Sequence, residues 1–205
     1  MLNSFDEIQL CLGIKQDLNS NELDAKSLKE QIAYYVAGKV IVSDALCLEI
    51  PKILTIKNFD VSDEYVIDEK IREREWFTIK IMQDNVIATL AGLASTDIVF
   101  NQTEICRESD LSLALELVKK FVDNYFEIKP KSRDCENATT RRFFAKKEDM
   151  VIFKLKKYYK YAKVLILKNR DFLDAVAKAL AENGELSVSD YQNLKSNFKL
   201  ETYIC

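Results

Sequence analysis

IAYYVAGKVIV, residues 32–42, is an apolar run with the period of a helix. Ile32, Val36 and Val40 fall at i, i+4 and i+8 and stack on one face. Ser27 and Glu30 stand just upstream at the spacing of a capping box, so a helix from Ser27 to about Val42 is predicted.

Downstream, KILTIKNF (52–59) is short, β-branched and preceded by Pro51, which predicts a strand. Residues 60–75 (DVSDEYVIDEKIRERE) are charged and predict a loop. Thr78 is placed to cap a helix through Ser95, with Ile79, Met82, Val86, Leu90 and Leu93 on one stripe; the alternation of Ile79 and Ile81 leaves a strand open at its start. Ser109 is the expected cap of a helix from Asp110 to about Phe126, with Leu111, Leu115, Val118, Val122 and Tyr125 inward. Residues 127–146 predict a loop, 147–168 a long helix, and 170–183 a helix stopped by Gly184. Ser187 would cap a last short helix. The chain is therefore expected to be mainly α, an α+β fold with a small β element. Its single domain spans 27–205, behind a segment 1–26 of uncertain order.

Composition agrees. Among 205 residues there are four Gly and two Pro, too few for a turn-rich sandwich or barrel. A net charge of −3 gives no general field for phosphates, so no nucleic-acid partner is expected. The local clusters Lys129–Arg142 and Lys154–Lys163 read as solvated faces. In the aromatic–basic run KLKKYYKYAK (154–163), tyrosines should turn inward while lysines face water. Five cysteines without a CxxC pair predict neither disulfides nor a thiolate metal site, and imply a reducing compartment. Cys47, Cys106 and Cys205 read as incidental or core residues. Acidic residues stand where a signal peptide would be basic, and no apolar run reaches the length of a span; a cytoplasmic protein is expected. The chain holds no histidine, which removes imidazole ligands, bases and proton shuttles together.

Five segments, taken in order, resemble the peptidase domain of the FtsH family of membrane-anchored AAA+ zinc proteases. IAYYVAGKVIV is similar to that family's active-site helix, A-Y-H-E-A-G-H-A, with Ala33, Tyr34, Ala37 and Gly38 matching in place. PKILTIK (51–57) resembles the strand that follows. NVIATLAGLASTDIVF (85–100) is similar to the helix ending L-L-G-G-R-A-A-E-E-L-V-F, and SDLSLALELVKKFVDNYF (109–126) to the N-D-L segment. LILKNRDFLDAVAKALAENGELSVSDYQNL (165–194) resembles the C-terminal E-N-R-x-x-L-D segment. The resemblance covers about residues 32–195 and implies a helical fold; the family's ATPase module and its Gly-rich phosphate loop have no counterpart here.

The departures fall on the chemistry. A His-Glu-x-x-His helix binds zinc through two histidines one turn apart, with the glutamate as general base. Tyr35 and Lys39 occupy the histidine positions and Val36 that of the glutamate. A phenol ionises near pH 10, an ammonium repels a dication, and valine moves no proton. The family's third ligand is the aspartate of its N-D-L motif, which Asp110 matches. Two arrangements stay open. Lys39 takes the metal's place and pairs with Asp110, or Asp110 merely favours a helix N-terminus while Lys39 snorkels to solvent.

The resemblance thus implies a catalytically inactive pseudo-peptidase without metal or cofactor, acting as a protein-interaction, scaffold or adaptor module. Its partner would be another copy of the chain, an active FtsH-type protease or that protease's clients. The alternative is a re-equipped non-zinc enzyme using Lys39, Asp110 and carboxylates such as Asp44 or Glu116 in the old cleft. A third possibility is RNA binding through residues 129–163.

Overall fold

The computed structural model describes residues 10–13, 25–57, 78–101, 108–125 and 138–202. Its elements are α1 (Ala25–Ala45), β1 (Ile53–Thr55), α2 (Ile79–Phe100), α3 (Glu108–Tyr125), α4 (Ala138–Lys168), α5 (Arg170–Asn183), β2 (Glu185–Ser187) and α6 (Val188–Lys195). The fold is mainly helical with one small sheet, as the periodicities require.

α1 and α2 are the central pair. α2 is buried on every side from Asn85 to Thr96, which fits a run that is apolar or small all round. α1 packs on α2 and α5, while α3 and α4 cover the other side of α2. Gly38 sets how closely α1 and α2 approach: a Cβ there would stand 2.6 Å from the Ser95 Cβ and Oγ and 2.9 Å from the Ala91 carbonyl oxygen. Ser95 Oγ lies 2.7 Å from the carbonyl oxygens of both Tyr34 and Gly92, so this polar residue is satisfied at the contact.

β1 and β2 pair antiparallel, Ile53 with Ser187, Leu54 with Leu186 and Thr55 with Glu185; Leu54 and Leu186 point into the core. Two expected caps are present. Thr78 Oγ1 accepts the Ile81 N–H at 3.2 Å, and Ser187 Oγ accepts that of Asp190 at 3.2 Å. Gly184 ends α5 at φ 79°.

Several expectations are corrected. α1 begins at Ala25 and α3 at Glu108, so Ser27 and Ser109 lie inside first turns rather than at caps. Ile79 is helical and exposed, not part of a strand. α2 runs on to Phe100, because Thr96 bonds back to the Leu93 carbonyl at 3.1 Å and Asp97 is met by Tyr159 from α4. Residues 138–146 belong to α4 and not to a loop. Cys47 is exposed, at φ 58°. It closes α1 with a Schellman pair, Cys47 N–H to the Asp44 carbonyl and Leu48 N–H to that of Ser43. The expected loop 60–75, Cys106 and Cys205 lie outside the described residues. Of the segment 1–26, Leu12 packs against the core. Among the described residues no helix is long and apolar enough to cross a membrane.

Candidate functional site

Helical spacing puts Tyr35 and Lys39 on one face of α1, one turn apart. The first turn of α3 brings Asp110 to the same place. Lys39 Nζ donates to Asp110 Oδ1 at 2.8 Å and to Oδ2 at 2.9 Å, and Tyr35 OH donates to Oδ2 at 2.5 Å. Tyr35, Lys39 and Asp110 are 1%, 6% and 4% exposed. Val36 is buried beside them in sequence and brings no titratable group.

α2 shapes the floor. A Cβ on Gly92 would fall 2.7 Å from the Tyr35 ring, so the ring takes up the space a side chain there would need. Asp110 also stands in the first turn of α3, where a negative charge is favoured. Lys39 turns inward to pair with Asp110 and does not snorkel to solvent. The hydrogen bond from Tyr35 was not foreseen, although its position four residues before Lys39 is the signal for a shared face.

The other carboxylates named from the sequence do not join this group. Asp44 accepts from Tyr191 OH and Lys195 Nζ, both at 2.9 Å, and so ties α1 to α6. Glu116 is exposed on α3. In KLKKYYKYAK, Tyr158 and Tyr159 are buried and Lys156, Lys157 and Lys160 exposed, as the spacing predicts, while Tyr161, Lys154 and Lys163 are half-buried.

A general base needs a lone pair directed at substrate. Asp110 already accepts three hydrogen bonds within the protein, two of them from a cation. What the group does well is hold α3 to α1. Removing Lys39 or Asp110 would strand the other's charge in the interior.

No family model matches the chain. It is similar to the ATP-dependent zinc metalloprotease FtsH 3 of Petrotoga mobilis, 24% identical over 196 residues that cover 86% of this chain and 30% of that protein. It is also similar to FtsH 2 of Phytoplasma mali, at 25% identity over 81% of this chain and 25% of the relative. The FtsH of Thermus thermophilus is 27% identical over 60% of this chain and 22% of its own length. The chain thus spans less than a third of the length of these relatives.

The donor set at Tyr35, Lys39 and Asp110 does not fit a zinc ion. The ammonium lies in contact with both oxygens of the one carboxylate, and the remaining oxygen atom belongs to a phenol whose O–H donates a hydrogen bond to that carboxylate. The length over which the similarity runs, together with the helical fold, supports a relationship between this chain and the FtsH zinc metalloproteases.

Proposed function

We propose that the chain is a non-catalytic pseudo-peptidase related to the FtsH zinc proteases, acting as a protein-interaction, scaffold or adaptor module. The observation that carries this reading is the buried Tyr35–Asp110–Lys39 group. A lysine ammonium is held between the α1 face and an aspartate of α3, which supports reading it as the replacement for a metal ion. The charge balance is thereby kept without a metal, and so is the link between α1 and α3. The absence of histidine from the chain supports the same conclusion. The alternative enzyme gains no support from the geometry, because Asp44 is engaged with α6 and Glu116 faces solvent. The partner is a second copy of the chain or an active FtsH-type protease with its clients.

Degradation of unfolded casein, with zinc supplied, tests this in two arms. The chain alone cleaves nothing, and added to an active FtsH-type protease it alters the rate of client degradation. Zinc-dependent cleavage by the chain alone, abolished in Asp110→Asn, would overturn the non-catalytic reading. An unchanged rate, with no complex formed with the protease, would overturn that protease as partner and leave self-association.

A further inference from the structure

α4 carries a second feature, independent of the Lys39 group. Between Met150 and Arg170 the chain has seven Lys or Arg and no Asp or Glu. The whole chain carries −3, so with +7 in this stretch the remainder carries −10. This stretch, on α4 and the first residue of α5, is thus net basic in a chain whose remaining sequence is net acidic. Lys163 and Arg170 are engaged by Asp97 and Asp174, while Lys156, Lys157, Lys160 and Lys168 are exposed.

Two large apolar side chains stand on this face. Phe153 is 61% and Leu167 58% exposed. At the pitch of a helix they lie within about 40° of each other around the axis and about 21 Å apart, with Lys160 on the same line between them. An exposed phenylalanine and leucine among lysines match the chemistry of a surface that is both anionic and apolar.

We propose that this face of α4 docks on the surface of an anionic lipid bilayer. Phe153 and Leu167 enter the boundary between headgroups and acyl chains, and the lysines meet lipid phosphates and carboxylates. Nucleic acid fits less well, because Tyr158 and Tyr159 are buried and Tyr161 is half-buried, so successive bases would meet Phe153 and no second exposed ring on this face. An acidic helix of a protein partner would need a continuous apolar seam. Here that seam is interrupted by Lys156, Lys157 and Lys160.

Co-sedimentation of the full chain with vesicles tests the proposal. The chain binds phosphatidylcholine vesicles containing about 30% phosphatidylserine at low salt, releases them at high salt and ignores pure phosphatidylcholine. Lys156→Glu with Lys160→Glu weakens binding at least about 25-fold, taking about fivefold per lysine. Phe153→Ala with Leu167→Ala weakens it about tenfold and leaves the salt dependence in place. All four positions are exposed, so circular dichroism should report the same fold. Failure of the folded wild-type chain to bind anionic vesicles overturns the proposal. So does unchanged binding by the Phe153/Leu167 variant, or tighter binding of single-stranded RNA or an acidic peptide than of vesicles.

Discussion

Two consecutive tyrosines of α1 build the same three-part unit in different surroundings. Tyr35 donates to Asp110, which is paired with Lys39; Tyr34 donates at 2.9 Å to Asp174, which is paired at 2.9 Å with Arg170. The side chains of Lys39 and Asp110 are 8% and 6% exposed, those of Arg170 and Asp174 36% and 42%. The partner lists are nearly interchangeable. Burial is what separates them, because desolvated charges must be compensated inside the protein, whereas surface charges can turn to water.

The largest difference should come from the cations. Lys39→Met strands the Asp110 charge and should cost about 3–5 kcal/mol. Arg170→Met should cost at most about 1 kcal/mol. Urea unfolding of both variants measures the gap, and equal costs would break the comparison. The tyrosines should follow the same order. Tyr35→Phe removes a hydrogen bond to a buried charge, for about 1.5–3 kcal/mol. Tyr34→Phe keeps its edge contact with Phe100 and should lose no more than about 1 kcal/mol. Gly92→Ala reaches the buried unit indirectly, by pushing the Tyr35 ring, and should cost about 1–3 kcal/mol.

The smallest effect is one of pH. Burial, then the hydrogen bond and charge of Asp174, push the Tyr34 hydroxyl up to about 12. Its folded value lies above the ordinary value near 10. The contribution is therefore complete below about pH 10 and is lost as pH rises toward about 12. With solvent screening it amounts to less than about 1 kcal/mol. Alkaline titration of stability should show this extra loss in the wild-type chain and not in Tyr34→Phe.

How much of this was legible in the sequence depended on range. Thr78, Ser187 and Gly184 act within a few residues of themselves, so their roles as caps and stop could be read directly. The Lys39–Asp110 pair spans 71 residues. It became readable only because a resemblance placed both ends at one site and charge balance then joined them. β2 was missed because three residues carry no period, and their partner strand lies more than 100 positions upstream. The start of α4 was hidden by the charges of 129–142, which read as a loop. The end of α2 was hidden by Thr96 and Asp97, polar residues satisfied from within the helix and from α4. The companion unit on Tyr34 had no sequence signal, since Asp174 stands 140 residues away.

Equilibrium dialysis against zinc, followed by metal analysis of wild type and Asp110→Asn, bears most directly on whether the Lys39 ammonium stands where a metal would have to bind. The wild-type chain should hold no Asp110-dependent zinc and should show the same unfolding midpoint with or without a chelator. One zinc per chain, lost in Asp110→Asn, would contradict it.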